Sequence, residues 1–228
     1  MDKFAIIVAG GSGTRMNSAV PKQFLPMEGK PVLMHSILAF HIYDASTQII
    51  VALPAGLFSS WESICNEHSF RIPHKLAEGG KTRFDSVKNA LNFITADGLV
   101  AIHDGVRPLV SRDLISRAFD HTRVHGNAIP VVPVTDSVRN TNGSFNSPLD
   151  RNNLRLIQTP QVFDASLILE AYQQDYSDSF TDDASVLEAA GETLNLIRGD
   201  QYNLKITFPE DLLIAEALLK YRKTEPVI

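Results

Sequence analysis

The sequence predicts an α/β fold in which a mostly parallel sheet is covered by helices on both faces. Two observations carry this. Short apolar runs of strand length alternate with longer stretches of helical character along the 228-residue chain. Strands separated by helices pair in parallel, and a parallel sheet needs cover on both sides. The second observation is a glycine-rich loop, AGGSG, that leaves the first apolar run. Small residues there let backbone N–H groups turn toward an anion.

The elements follow in order. Phe4–Ala9 reads as a strand, Pro31–Tyr43 as a helix and Thr47–Pro54 as a second strand. Leu57–His68 and Lys81–Ile94 carry helical patterns. Leu99–Asp104 is a strand, Ser111–Val124 a helix and Ala128–Val134 a strand. Asp164–Gln174 and Thr181–Gly191 read as helices, and Leu194–Gly199 and Leu204–Thr207 as short strands. At the last helix, Thr207 and Glu210 have the spacing of a capping box, with Pro209 tolerated in the first turn.

One segment breaks the alternation. Val134–Leu156 is polar and contains Asn142-Gly143, a hairpin signal. An isolated two-stranded hairpin is marginal in water. The expectation is a single domain over residues 1–228 with an arm at about 134–156 that packs on a second copy of the chain.

Composition narrows the function. A hydrophobic fraction of 44% suits a full core, and the net charge of -5 favours neither nucleic acid nor an anionic membrane. The single cysteine, Cys65, excludes a disulfide framework and a cysteine-based metal site. No apolar run reaches spanning length, and the first strand starts at once, leaving no room for a signal peptide. A cytoplasmic protein with no membrane partner is expected. Any positive field for an anionic substrate must then be local.

The glycine loop fits neither of two familiar phosphate binders. No Gly-Lys-Ser/Thr follows Gly10 or Gly11, and the third glycine of a dinucleotide fingerprint is replaced by Met16. A plain strand-to-helix turn and a phosphate loop both fit three glycines. Arg15 and Lys22, just beyond, favour the phosphate loop, since a turn does not need them.

Other strand ends hold further candidates. Asp104-Gly105, near Arg107, suits a hard divalent cation surrounded by phosphate, and also a turn cap. His103 should point away from Asp104 and be structural. Gly79-Gly80 opens a helix whose backbone could hold an anion or a base edge, while Lys81 and Arg83 could equally be solvated. Lys205 interrupts an apolar run and calls for an anion.

AGGSGTRM, PKQF, GGKTRFDSV, HDGVRP, LDRNNL, TPQVF, TDDASVLEAAG and NLKITFPEDL occur in this order. Together they closely resemble the 2-C-methyl-D-erythritol 4-phosphate cytidylyltransferases over nearly the whole chain. The resemblance implies a Rossmann-like nucleotidyltransferase fold, a homodimer with exchanged arms, and cytidylyl transfer from CTP to a sugar-alcohol phosphate with Mg²⁺. Residue by residue, it makes Arg15 and Lys22 the cations on the triphosphate and Asp104 the metal ligand. Ala9, Gly10, Gly11, Gly13, Thr14 and Gly105 join the CTP loop. Gly80, Arg83 and Ser86 fall where the family reads cytosine and ribose. Arg107, Ser137, Thr159 and Lys205 match acceptor-binding positions, and Arg151 matches an arginine that crosses to the partner's site. Lys81 stands where the family is often acidic and is left out of the base contacts. Ser137 replaces a usual threonine. Ribitol-5-phosphate cytidylyltransferase and a nucleotide-binding module without turnover remain alternatives, although a silent module would be expected to lose Lys22, Asp104 or Lys205.

Overall fold

The computed structural model describes residues 1–11 and 20–224. In chain order it has β1 (Asp2–Val8), a short antiparallel pair β2 (Pro26–Met27) and β3 (Lys30–Pro31), α1 (Val32–Tyr43) and β4 (Gln48–Leu53). Then come α2 (Phe58–Glu67), β5 (Lys75–Glu78), α3 (Arg83–Leu91), β6 (Gly98–Asp104), α4 (Arg112–His125) and β7 (Asn127–Pro133). The rest is β8 (Val138–Asn142), β9 (Phe145–Leu149), β10 (Arg155–Ile157), β11 (Gln161–Asp164), α5 (Ala165–Ala171), α6 (Asp183–Ala189), β12 (Leu196–Arg198) and α7 (Pro209–Thr224).

The period of two in β1 sets the layers. Ala5 and Ile7 face one side, against Leu33, Ile37 and Phe40 of α1, Trp61 of α2 and Phe119 of α4. Phe4 and Ile6 face the other, against Phe84 and Val87 of α3, Ile168 of α5 and Leu187 of α6. Every residue of β6 is buried, as a central strand covered on both faces requires. A smaller cluster, Met27, Val32, Val106 and Leu109, packs with Ile206 and with Ala215 of α7.

β1 lies between β4 and β6 and is parallel to both, and β4 is parallel to β5. The chain runs out from β1 to β5 and then returns to the opposite side of β1. This reversal opens a crevice at the carboxyl ends of the strands, the position where open α/β sheets bind ligands. Val8 and Asp104 are register partners at that end.

The other half of the sheet is antiparallel. β11 lies between β6 and β7 and runs against both. β10 also runs against β7, with Ile157 opposite Val131, while β12 pairs with β7 in parallel. The sequence pattern shows neither β10 nor β11, nor β5. Four-residue strands such as QVFD and KLAE are too short to show a period.

Three local expectations are corrected. Leu204–Thr207 is not a strand. It is extended, with Ile206 donating to the Val106 carbonyl at 2.9 Å. The capping residue of α7 is Asp211 rather than Glu210, because its carboxylate accepts from both Thr207 and Phe208 N–H at 2.8 Å. The hairpin exists, as β8 paired antiparallel to β9, but Asn142 is still in register with Phe145. Its turn is therefore Gly143-Ser144, with Gly143 at φ +57, where glycine is at ease. Among the described residues, no helix is long and apolar enough to cross a membrane.

Candidate functional site

Two cavities open at the carboxyl ends of the strands. One, of about 380 Å³, is walled by Ala9, Gly10, Gly11, Lys22, Gly80 and Ser86. The other, of about 410 Å³, is walled by Arg107, Gln158, Thr159, Thr181, Ser185 and Glu188. Arg83, Asp104 and Lys205 line both. They form a common wall of two cations and one carboxylate.

The glycine-side cavity is held by the ends of β1 and β5. Gly10 and Gly11 follow Ala9, which is tied down twice. Its N–H donates to the Ala52 carbonyl at 2.8 Å, and its own carbonyl accepts from buried Gln23 at 2.9 Å. Gln23 belongs to the PKQF run but was not recognised as a support. Its neighbour Lys22 reaches the Ile206 carbonyl at 3.4 Å. Gly13, Thr14 and Arg15 lie outside the described residues.

Across the cavity, α3 begins with a capping box. Thr82 accepts from Asp85 N–H, and the Asp85 side chain accepts from Thr82 N–H. Gly80 N–H donates to Ser86 Oγ at 3.0 Å, and Ser86 donates to the Thr82 carbonyl at 2.9 Å. A Cβ on Gly80 would lie 2.2 Å from Asp85 Cβ. Gly80→Ala should therefore displace the box, destabilise by about 1–3 kcal/mol and lower the melting temperature by several degrees. Gly10→Ala, whose Cβ would meet Ser86 Oγ at 3.3 Å, should be milder. Thermal melts of the two variants check the order. Gly105 does not face either cavity. It is a packing glycine, donating to the Val8 carbonyl at 2.8 Å where a Cβ would come within 3.1 Å of the same oxygen.

Asp104 ends β6 and gathers three cations. Lys205 Nζ lies 2.9 Å and Arg107 Nε 3.3 Å from Oδ2, and Arg83 Nε is 3.7 Å from Oδ1. Burial alone would raise this carboxyl, but Arg83, Lys205 and Arg107 reverse the effect and hold it well below the usual carboxylate range. The anion that Lys205 called for is thus in its own chain, and Lys205 is exposed rather than buried. Arg107 also donates to the Asn203 carbonyl at 2.7 Å, and the Asn203 side chain donates to the Thr159 carbonyl at 2.7 Å. Sequence reasoning missed Asn203.

The inserted strand explains Thr159. Continuing the register of β11 along β6 by two residues brings Thr159 opposite Asp104, and Asp104 N–H donates to Thr159 Oγ1 at 3.0 Å. His103 is structural, as expected. Burial pushes it down to about 4, so it is neutral at pH 7. Its Nε2 faces the Arg107 carbonyl at 3.1 Å, which can only accept, so the proton sits there and Nδ1 is an acceptor. Thr159 then donates to Nδ1 at 3.0 Å. With that proton spent, Thr159 can only accept from a ligand.

Ser137 and Arg151 face neither cavity within the chain. Both are exposed at the base of the arm, and Arg151 donates to the Thr135 carbonyl.

The family model described as 2-C-methyl-D-erythritol 4-phosphate cytidylyltransferase matches residues 4–221. Proteins of that name from Bacteroides fragilis and Phocaeicola vulgatus are 50% and 48% identical over 219 residues, covering 96% of this chain and 100% of each relative. The crystal structure of the Thermus thermophilus protein of that name superposes with a TM-score of 0.78 at 32% identity, covering 96% of this chain and 100% of the other. That from Francisella tularensis gives 0.80 at 29%, covering 95% and 99%.

Proposed function

The chain belongs to the 2-C-methyl-D-erythritol 4-phosphate cytidylyltransferase family, and from that premise we propose how its two cavities divide the work. The family reaction joins CTP to 2-C-methyl-D-erythritol 4-phosphate, giving 4-diphosphocytidyl-2-C-methyl-D-erythritol and pyrophosphate. The shared wall of Arg83, Asp104 and Lys205 is the observation that carries the division. CTP takes the cavity of Gly10, Gly11, Gly80 and Ser86, and the acceptor takes that of Arg107 and Thr159. Their phosphates meet at the wall.

The nucleophile is a phosphate oxygen and already an anion, so no general base is needed. It attacks the α-phosphorus, and the bond to the β-phosphate oxygen breaks. The obstacle is bringing two polyanions together. Positioning and fixed charge supply most of the acceleration. Lys22 and Arg15 are assigned to the triphosphate, Lys205 and Arg107 to the acceptor phosphate. Thr159 accepts from a hydroxyl of the polyol, the one role its spent proton leaves it. Ser86 and the Gly80 backbone are assigned to the nucleoside.

A divalent cation fits this site. Mg²⁺ takes one or two carboxylates and completes its shell with phosphate and water. Asp104 Oδ1, whose cationic neighbour among the described residues is Arg83 at 3.7 Å, would hold it. Bound there, the ion would neutralise charge on the phosphates.

Pyrophosphate release from CTP tests the reading, with 2-C-methyl-D-erythritol 4-phosphate and ribitol 5-phosphate as rival acceptors. Faster release with the second would overturn the acceptor assignment. CTP should also clearly outperform UTP, because a mismatched base leaves buried polar groups unpaired.

The arm is assigned to a homodimer in which Arg151 and Ser137 complete the partner's acceptor cavity. Their exposure within one chain and the polar sequence of β8 and β9 support this. Mixing Arg151→Ala with Lys22→Ala chains provides the check. Each homodimer should be nearly inactive, while the mixed dimer keeps one intact site and regains activity toward half. Subunit exchange without recovery would place Arg151 in its own chain's site.

A further inference from the structure

We propose that Asp183 is a positioning residue for the cation site at Asp104, acting by holding Arg83 away from that carboxylate. The inference rests on Asp104 being the cation ligand. Asp183 is fully buried and faces neither cavity. The reaction described above makes no use of it. Yet it takes Arg83 through two bonds, Nη1 to Oδ1 at 2.7 Å and Nη2 to Oδ2 at 2.6 Å. Oδ1 also accepts from the buried Tyr172 hydroxyl at 2.7 Å, and the Tyr172 ring stacks on Phe84 at 4.7 Å. The anchor of Arg83 is thus itself anchored in the core.

The consequence falls on Asp104. Oδ2 is engaged by Lys205 and Arg107, whereas Oδ1 faces Arg83 Nε at 3.7 Å, beyond hydrogen-bond range. A two-bond arginine–carboxylate pair is geometrically strict, so the guanidinium is fixed at that separation. Without the Asp183 charge, Asp104 is the carboxylate left within its reach. A closure of roughly 0.9 Å would bring Nε to the ~2.8 Å of a charge-assisted bond and occupy Oδ1. A cation would then have to displace an arginine. Among the described residues, Asp183 thus keeps one oxygen of Asp104 open while leaving the positive charge of Arg83 at the wall.

The test is Mn²⁺ binding to the protein without nucleotide or acceptor, followed by the electron paramagnetic resonance signal of free Mn²⁺. Asp183→Asn should weaken binding about tenfold or more, as loss of a group that orients a metal ligand does. The double variant Arg83→Met with Asp183→Asn removes the competing cation and should bind within about threefold of the wild type. A role confined to folding would give no such recovery. Asp104→Asn is the control for the underlying assignment, and retained Mn²⁺ binding there would refute Asp104 as ligand. If Asp104→Asn loses Mn²⁺ while Asp183→Asn keeps wild-type affinity, the proposal is overturned. It is equally overturned if the double variant stays as weak as Asp183→Asn. Should Asp183→Asn fail to fold, Tyr172→Phe takes its place by removing one of the bonds that anchor Asp183. Weaker Mn²⁺ binding in that variant supports the proposal, and wild-type affinity refutes it.

Discussion

Lys22→Ala is expected to lower turnover by about a hundredfold or more, the usual cost of losing one preorganised electrostatic contact. Lys22 sits in a single 3-10 turn, Lys22–Phe24, whose other residues are fixed. Gln23 is buried against the Ala9 carbonyl, and Phe24 stacks on Trp61 at 5.8 Å. The lysine is thus carried by a rigid base. Its head group reaches the Ile206 carbonyl at 3.4 Å. Because Gln23 and Phe24 hold the turn, removing Lys22 should lower turnover far more than it lowers the melting temperature. Lys22→Arg should not restore the rate, because a planar fork cannot replace a compact charge of a different reach. Steady-state kinetics beside a melt separate the two effects. Normal turnover in Lys22→Ala would remove the residue from catalysis.

Asp104→Asn should affect both activity and stability. The amide keeps the shape but drops the charge facing Lys205, Arg107 and Arg83. Activity should fall, with partial recovery at high Mg²⁺ concentration. The loss of stability should stay below the roughly 3–5 kcal/mol of breaking a fully buried pair. Lys205 is 43% exposed, so water can receive it, and Arg107 retains the Asn203 carbonyl. The pH dependence has a definite sign. Because the folded-state pKa of Asp104 is depressed, its contribution is complete above the ordinary carboxylate range and disappears as pH falls through the lower folded value. The wild type should lose stability in acid more steeply than Asp104→Asn. Parallel acid unfolding curves, or wild-type dependence on metal in the variant, would leave Asp104 as only a turn cap.

The parts of the fold that were legible in the sequence are those with a period. β1, β4 and β6 are apolar runs because both faces are covered, and α1 and α4 are long enough to show their turns. β11 was not legible. It is four residues long, and its burial comes from being inserted between two strands rather than from its own pattern. The site divides along the same line. Glycines and isolated charges at strand ends, such as Gly80, Lys22 and Asp104, signal themselves through local chemistry. Asn203 and Asp183 do not, since their work lies in contacts with residues 44 and 100 positions away. Arg83 shows the limit most clearly. Its charge can be read from the sequence, but its two bonds to Asp183 cannot, and those bonds decide where that charge points.

The insertion of β11 also constrains how the chain can be made. β6 and β7 are joined directly by α4, yet they are not neighbours in the sheet. A chain emerging from the ribosome as far as residue 157 already contains β1, β4, β5, β6 and β7. It has no partner for the side of β6 turned away from β1. From Leu99 to Ile102 that edge is apolar, and open edges of this kind recruit other strands. Until Gln161–Asp164 arrives, the nascent protein carries a slot that a second nascent copy could fill. Apart from Lys205, the lining of the glycine-side cavity comes from Val8 to Val106, while the other cavity waits for this strand and its Gln161. Chaperone demand during synthesis should therefore peak between the completion of β7 and the emergence of β11.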